Sequence, residues 1–93
     1  MQRTISMKIK VTNKKDDTDV SIIDLSKSVA VRCQTGELKG AGKKLIVVFS
    51  DDFHPEFDEK KYLFEEVEVT MSGNVSFVKR SIPEILGLYS WID

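Results

Sequence analysis

A mainly β fold, a small antiparallel six-stranded barrel or sandwich with at most one short helix, is predicted by three observations. Apolar residues recur at every second position from Ile5 to Val11 and again from Glu66 to Met71, the two-residue period of a half-buried strand. Turn-forming clusters part such runs at short intervals: Asn13-Lys14-Lys15-Asp16-Asp17, Gly36 to Lys43 and Ser72-Gly73-Asn74. No regular helical segment stands between the runs, so the strands are expected to pair antiparallel rather than through helical crossovers.

The first strand, Ile5 to Val11, sets Ile5, Met7, Ile9 and Val11 against Ser6, Lys8 and Lys10. After the polar turn, Val20 and Ile22, with Asp24 in phase, share one face while Ile23 and Leu25 share the other. Ser26, Lys27 and Ser28 interrupt the run before Val29 and Val31 resume it beside Ala30 and Arg32. Polar residues inside an apolar run need a reason, and a bend or bulge at Asp24 to Ser28 supplies one. Gly36 to Lys43 reads as a flexible hairpin connection. A phosphate loop does not fit: five residues part Gly36 from Gly42 where that motif has four, Lys44 replaces the Ser or Thr, and the LIVVF that follows is strand-forming.

Leu45 to Phe49 is apolar on both faces, the pattern of a central strand covered on both sides. Asp51 to Lys61 is an acidic connection in which Pro55 and its neighbouring acids suit the first turn of a short helix, anchored only by Phe53 and Phe57. Glu66 to Met71 alternates Val67, Val69 and Met71 against Glu66, Glu68 and Thr70; with the Ser-Gly-Asn turn and Val75 to Arg80 it forms a hairpin. The tail admits two readings. Ser81 and Glu84 have capping-box spacing, and Ile85, Leu88, Tyr89 and Ile92 recur at helical intervals, yet Gly87 weakens a helix by about 1 kcal/mol. A final strand from Gly87 to Asp93 is the other.

With 93 residues, 41% of them hydrophobic and 31% charged, the chain is expected to form one barrel-like domain over residues 1–93. A domain of this size buries only roughly 60–65% of the surface its unfolded chain exposes, which favours a surface site over a deep cleft. A net charge of -1 and a pI near 5.8 offer no general attraction to phosphate backbones, so nucleic acid is not an expected partner. Cys33 is the sole cysteine, which rules out an internal disulfide and suits a reducing compartment. The opening MQRTISMKIK has no continuous apolar core, and no run approaches the ~20 apolar residues of a membrane span. No signal peptide or membrane insertion is expected, and the cytoplasm of a bacterium is the predicted location.

Few residues suggest chemistry. His54 lies among Asp51, Asp52, Glu56 and Asp58, but without the fixed spacing of a metal site, so a solvated acidic loop is the default. Cys33 would need His54 nearby to act as a nucleophile; at the end of a β-branched strand it reads as a small buried hydrophobe. Lys8, Lys10, Lys14 and Lys15, with Arg3, form one basic cluster and Lys39, Lys43 and Lys44 another. Lysines on edge strands commonly prevent edge-to-edge association. Tyr62, Phe64, Tyr89 and Trp91 are too dispersed for a base-stacking platform and read as core or rim. No enzyme, cofactor or metal is expected.

Ser21-Ile22-Ile23-Asp24-Leu25-Ser26 resembles the PilZ domain family, in which a strand ends in an Asp-x-Ser-x-x-Gly turn. Asp24 and Ser26 match two motif positions, Gly42 precedes the hydrophobic strand Leu45 to Phe49, and Gly87-Leu88-Tyr89 resembles the family's closing strand. Val29 stands at the motif glycine. Lys10-x-x-x-Lys14 keeps the spacing of the family's paired arginines without their forked guanidinium. The resemblance implies a six-stranded PilZ-type barrel more than it implies cyclic di-GMP binding. A retained ligand site would comprise Lys10, Lys14, Asp24 and Ser26. The expected function is a non-enzymatic adaptor with a protein partner. The alternative is a small phage, integron or immunity-type inhibitor. Residues 51–68 hold eight acids against Lys60 and Lys61, and Asp51, Asp52, Glu56, Asp58 and Glu59 would cover a basic site on its target.

Overall fold

Alternating apolar residues fold here into two antiparallel sheets. The computed structural model of the chain describes residues 7–38 and 40–92, the side chains of residues 91 and 92 excepted. Its strands are β1 (Lys8–Asn13), β2 (Asp16–Asp24), β3 (Ala30–Thr35), β4 (Lys43–Val48), β5 (Glu56–Asp58), β6 (Tyr62–Val69) and β7 (Val75–Lys79). A 3-10 turn at Leu25–Lys27 joins β2 to β3, and the helix α1 (Ile82–Ile92) follows β7. One sheet has the order β2-β1-β6-β7 and the other β3-β4-β5. The two sheets are not hydrogen-bonded into a closed barrel among the described residues.

Among the described residues seven strands therefore replace the expected six. The additional one, β5, comes from the segment expected to begin a short helix. Phe57 lies opposite Leu45 in the β4–β5 pairing and packs against the core, while Phe53 stacks on Phe49 with ring centroids 5.3 Å apart. Phe57 alone turns to the core while Phe53 stays 59% exposed, so the segment anchors as an extended return strand and not as a helical turn. At the chain's far end the helical reading holds and the strand reading fails. Gly87, Leu88 and Tyr89 lie in α1, so this segment supplies no closing strand. Nothing packs within 4 Å of an added Gly87 Cβ, so the glycine sits on an open side of the helix.

Residue register explains the core. Ile9 pairs with Ile23 and Glu66, and Val11 with Ser21 and Phe64, so these residues share the inner face of the four-stranded sheet. Ile9, Val11, Ile23 and Phe64 are buried there with Met7. In the second sheet Leu45 and Val47 are fully buried opposite Cys33 and Val31. Leu25 from the 3-10 turn and Ile82 and Ile85 from α1 complete one cluster. The predicted first strand is thus borne out from Lys8 onward, with Met7 buried just ahead of it, while Ile5 and Ser6 lie outside the described residues.

The β6–β7 hairpin forms with Gly73 at φ 87° in its turn, but it faces the other way from the usual apolar-in arrangement. Phe64 fixes the inner phase of β6, which puts Glu66 on the core side and Val67 and Val69 outside. Glu66 is accommodated because Arg80 donates Nε–H to its Oε1 at 2.9 Å, with Nη2 also 2.9 Å away. That hydrogen bond raises the Arg80 pKa, and Nη1 reaches Glu84 Oε2 at 3.5 Å, tying β6 to the start of α1.

The capping box is present. Glu84 Oε1 accepts from the Ser81 N–H and hydroxyl, each at 3.0 Å, and the Glu84 N–H donates to Ser81 Oγ at 3.4 Å. These bonds, the backbone one foremost, lower the Glu84 pKa below its ordinary 4.5. A carboxylate with a depressed folded pKa contributes stability above its unfolded value and loses it as pH falls through the folded value. Stability is accordingly expected to decline below pH 4.5. Glu84→Gln should flatten that part of the profile in chemical denaturation, and an unchanged acid limb would contradict this role.

Thr12, on the outer face between Val20 and Leu63 in register, carries a buried Oγ1 with no hydrogen-bond partner. Replacing an unsatisfied buried hydroxyl with a methyl group removes its desolvation cost, and Val suits a strand equally well. Thr12→Val is expected to stabilise the protein by about 1 kcal/mol, seen as a rise in Tm of roughly 4–8 °C.

Candidate functional site

The interrupted run at Asp24–Ser28 is a capped turn. Asp24 Oδ1 accepts from the Ser26 N–H at 3.0 Å and also from the Ser26 hydroxyl, so its side chain caps the 3-10 turn. Ser28 closes the other end, donating from Oγ (2.7 Å) and N–H (3.1 Å) to the Leu25 carbonyl. The Leu25 N–H donates to Met7 O at 2.8 Å, which seats Leu25 in the core. Tyr89 Oη approaches Ser28 O at 3.4 Å and Val29 N–H donates to Val48 O at 2.8 Å. The polar residues therefore satisfy one another while the chain crosses from one sheet to the other.

Of the four candidate ligand residues, Asp24 and Ser26 meet, and the two lysines do not join them. Lys8, not Lys10, lies opposite Asp24 in the β1–β2 register. Lys10 lies opposite Ile22, and its Nζ sits 4.5 Å above the Phe77 ring. Lys14 is in the hairpin turn at the far end of β1, about 20 Å along the strand from the level of Asp24. There its Nζ donates to Glu59 O at 3.0 Å. No common pocket is formed by these four residues.

The acidic candidates are dispersed in the same way. Asp51 and Asp52 are exposed in the β4–β5 connection. Glu56 approaches Lys44 at 4.0 Å, Asp58 Oδ1 accepts from the Lys60 N–H at 2.9 Å, and Glu59 Oε2 accepts from the Lys43 N–H. A shallow groove of about 300 Å³ on the outer side of the three-stranded sheet is lined by Arg32, Ile46, Val48, Asp51, His54 and Glu56. Cys33 belongs to the inner face of that sheet, opposite Leu45, whereas His54 lines the outer groove, so the two do not meet as a catalytic pair. Among the described residues no three His, Cys, Asp or Glu side chains converge as a metal site. Arg3 and Lys39 lie outside the described residues, as does the Trp91 side chain.

No family model, characterised protein or solved structure matches the chain. Among the described residues no helix is long and apolar enough to cross a membrane.

A different surface stands out. Reading across the four-stranded sheet on its outer face, one row is Asp24, Lys8, Val67 and Phe77, and the next is Ile22, Lys10, Glu65 and Lys79. Thr12, Leu63 and Val20 lie beyond one side, and Val69 with Val75 beyond the other. Ile22 is 56% exposed, Val69 66%, Val75 55% and Phe77 46%. The sequence carried a signal for this face: Leu63 and Phe64 are adjacent, so β6 is apolar in both phases and only one of them can enter the core.

Proposed function

We infer that the chain is a non-enzymatic protein-interaction module, an adaptor resembling PilZ domains that does not bind cyclic di-GMP. The observation that carries this reading is the outer face of the four-stranded sheet, where Val69, Val75 and Phe77 stand exposed around Val67 on β6 and β7 and Ile22 is exposed on the far edge strand β2. Contiguous exposed apolar surface of this kind is characteristic of recognition sites for other macromolecules. The PilZ part of the reading is supported by the Asp24–Ser26 turn at the end of a strand and by Gly42 ahead of β4, while Gly87-Leu88-Tyr89, in α1, adds no closing strand to it. On this view the two open sheets are a relaxed version of the family's six-stranded barrel. Separation of Lys14 from Asp24, and the engagement of Lys10 with Phe77, favour an adaptor over a nucleotide receptor.

Isothermal titration with cyclic di-GMP tests this directly. No heat of binding is expected up to about 100 μM ligand, well beyond the micromolar range of a working receptor. Micromolar binding that is lost in Asp24→Ala and kept in Asp24→Asn would restore the nucleotide receptor. The inhibitor alternative, with an acidic face, has less behind it, because Glu56, Asp58 and Glu59 are already engaged within the chain.

A further inference from the structure

We propose that the outer face of the four-stranded sheet binds one acidic amphipathic helix of a partner protein. This rests on the adaptor reading and names the chemistry of its partner. Size selects a single helix. From Leu63 to Val69 the face runs about 20 Å along β6, and its strands span about 14 Å across. A helix of roughly 13 residues covers that length and is 10–12 Å wide with its side chains, so about one fits.

The same dimensions argue against a second copy of this chain. The face presents roughly 300 Å² in projection, and even doubled for the relief of its side chains it falls short of the ~800 Å² per partner of a standard interface. Charge points the same way. Lys8, Lys10 and Lys79 belong to the face, against two carboxylates, Asp24 and Glu65. Asp24 is taken up by Ser26, and neither carboxylate forms an ion pair with a lysine of this face among the described residues. Set against itself by a two-fold axis, the face would bring together two surfaces that each carry three lysines against two carboxylates, and the like net charge opposes self-association.

An acidic helix meets each of these features. Laid along β6, its apolar stripe lies on Val67, Val69, Val75 and Phe77, while carboxylates on its flanks reach Lys8 and Lys10 of β1 on one side and Lys79 of β7 on the other. Lys10 reaches across β6 to the Phe77 ring, so its flexible side chain must swing aside to yield that ring to the helix and meet a flanking carboxylate. A small, partly polar contact of this type belongs to the weak, transient class, with Kd expected on the order of 100 μM.

The test uses the full chain, isotopically labelled for NMR, and two synthetic helical peptides of about 14 residues with the same leucine stripe. One peptide carries glutamate flanks and the other lysine flanks. The glutamate peptide is expected to perturb amides of β1, β2, β6 and β7, and the lysine peptide to bind at least about tenfold more weakly. Lys10→Glu and Phe77→Ser, both on the outer face, should each weaken the glutamate peptide by about tenfold while leaving the remaining spectrum folded. Val75→Ser, opposite Val69 on β7 and 55% exposed, is a second apolar variant, should Phe77→Ser perturb the fold. Equal binding of the two peptides, perturbations confined to the three-stranded sheet, or no binding of either would overturn the proposal. So would dimerisation through this face in sedimentation, or binding to anionic phosphatidylserine vesicles that Lys10→Glu abolishes in the absence of peptide binding. The cyclic di-GMP titration fails separately: nucleotide binding would sink the adaptor reading, whereas a silent peptide titration without nucleotide binding would sink only the acidic helix as this face's partner.

Discussion

Leu45→Ala is expected to cost about 2–5 kcal/mol of stability, close to half of what a domain of this size has in total. Leu45 is fully buried at the centre of β4, opposite Cys33 on one side and Phe57 on the other. Its neighbours come from short strands that hold their register through backbone hydrogen bonds, which limits how far they can collapse into the vacated space. The loss therefore contains both the transfer of the missing methyl groups and the cavity that remains. A loss of about 3 kcal/mol should lower Tm by more than roughly 12 °C. A shift of only a few degrees in thermal unfolding would show that the interface between the second sheet and α1 is loosely packed. Leu38→Ala is the matched control: Leu38 is 81% exposed and its truncation should leave Tm nearly unchanged.

Asp24→Ala should destabilise by about 1–2 kcal/mol, the range for loss of a side-chain cap. The cost comes from the Ser26 N–H and hydroxyl, which lose their acceptor beside the buried Leu25. Asp24→Asn keeps an acceptor oxygen in place and is expected to retain most of the stability. Denaturant midpoints for the two variants decide the matter. Equal losses would mean that the negative charge, rather than hydrogen bonding at the turn, holds this corner, and an unchanged midpoint for Asp24→Ala would remove its structural role. That comparison also guards the cyclic di-GMP titration, since it separates a missing ligand contact from an unfolded turn.

Much of this architecture was legible in the residues themselves. The alternation of Met7, Ile9 and Val11, the apolar Leu45–Val48 segment and the Ser-Gly-Asn turn each carry local signals, and each folds as the strand or turn they indicate. β4 is nevertheless central without being covered on both sides: Ile46 and Val48 line the open groove. The capping box was legible too, and it decided a tail that periodicity and Gly87 left open. Two things were not. A strand as short as Glu56–Asp58 has too few residues for a period to show, and only the position of Phe57 opposite Leu45 reveals it. The facing of β6 depends on which of its two apolar phases the rest of the core accepts, a question that local patterning cannot answer. The candidate ligand residues suffered from the same limit. Sequence spacing placed Lys10 and Lys14 four apart, but an extended strand turns that spacing into distance instead of convergence.

The seam between β1 and β6 has a consequence for how the protein reaches this state. β3, β4 and β5 follow one another in the chain and pair with their immediate neighbours, as do β1 with β2 and β6 with β7. Among the described residues only the β1–β6 ladder pairs strands far apart in the chain, Lys8 to Val67 at one end and Asn13 to Tyr62 at the other. Closing so long a loop costs entropy before any of the ladder's hydrogen bonds can compensate. The hairpins form on microsecond timescales, whereas the rate of productive folding is governed by their search for one another across this seam.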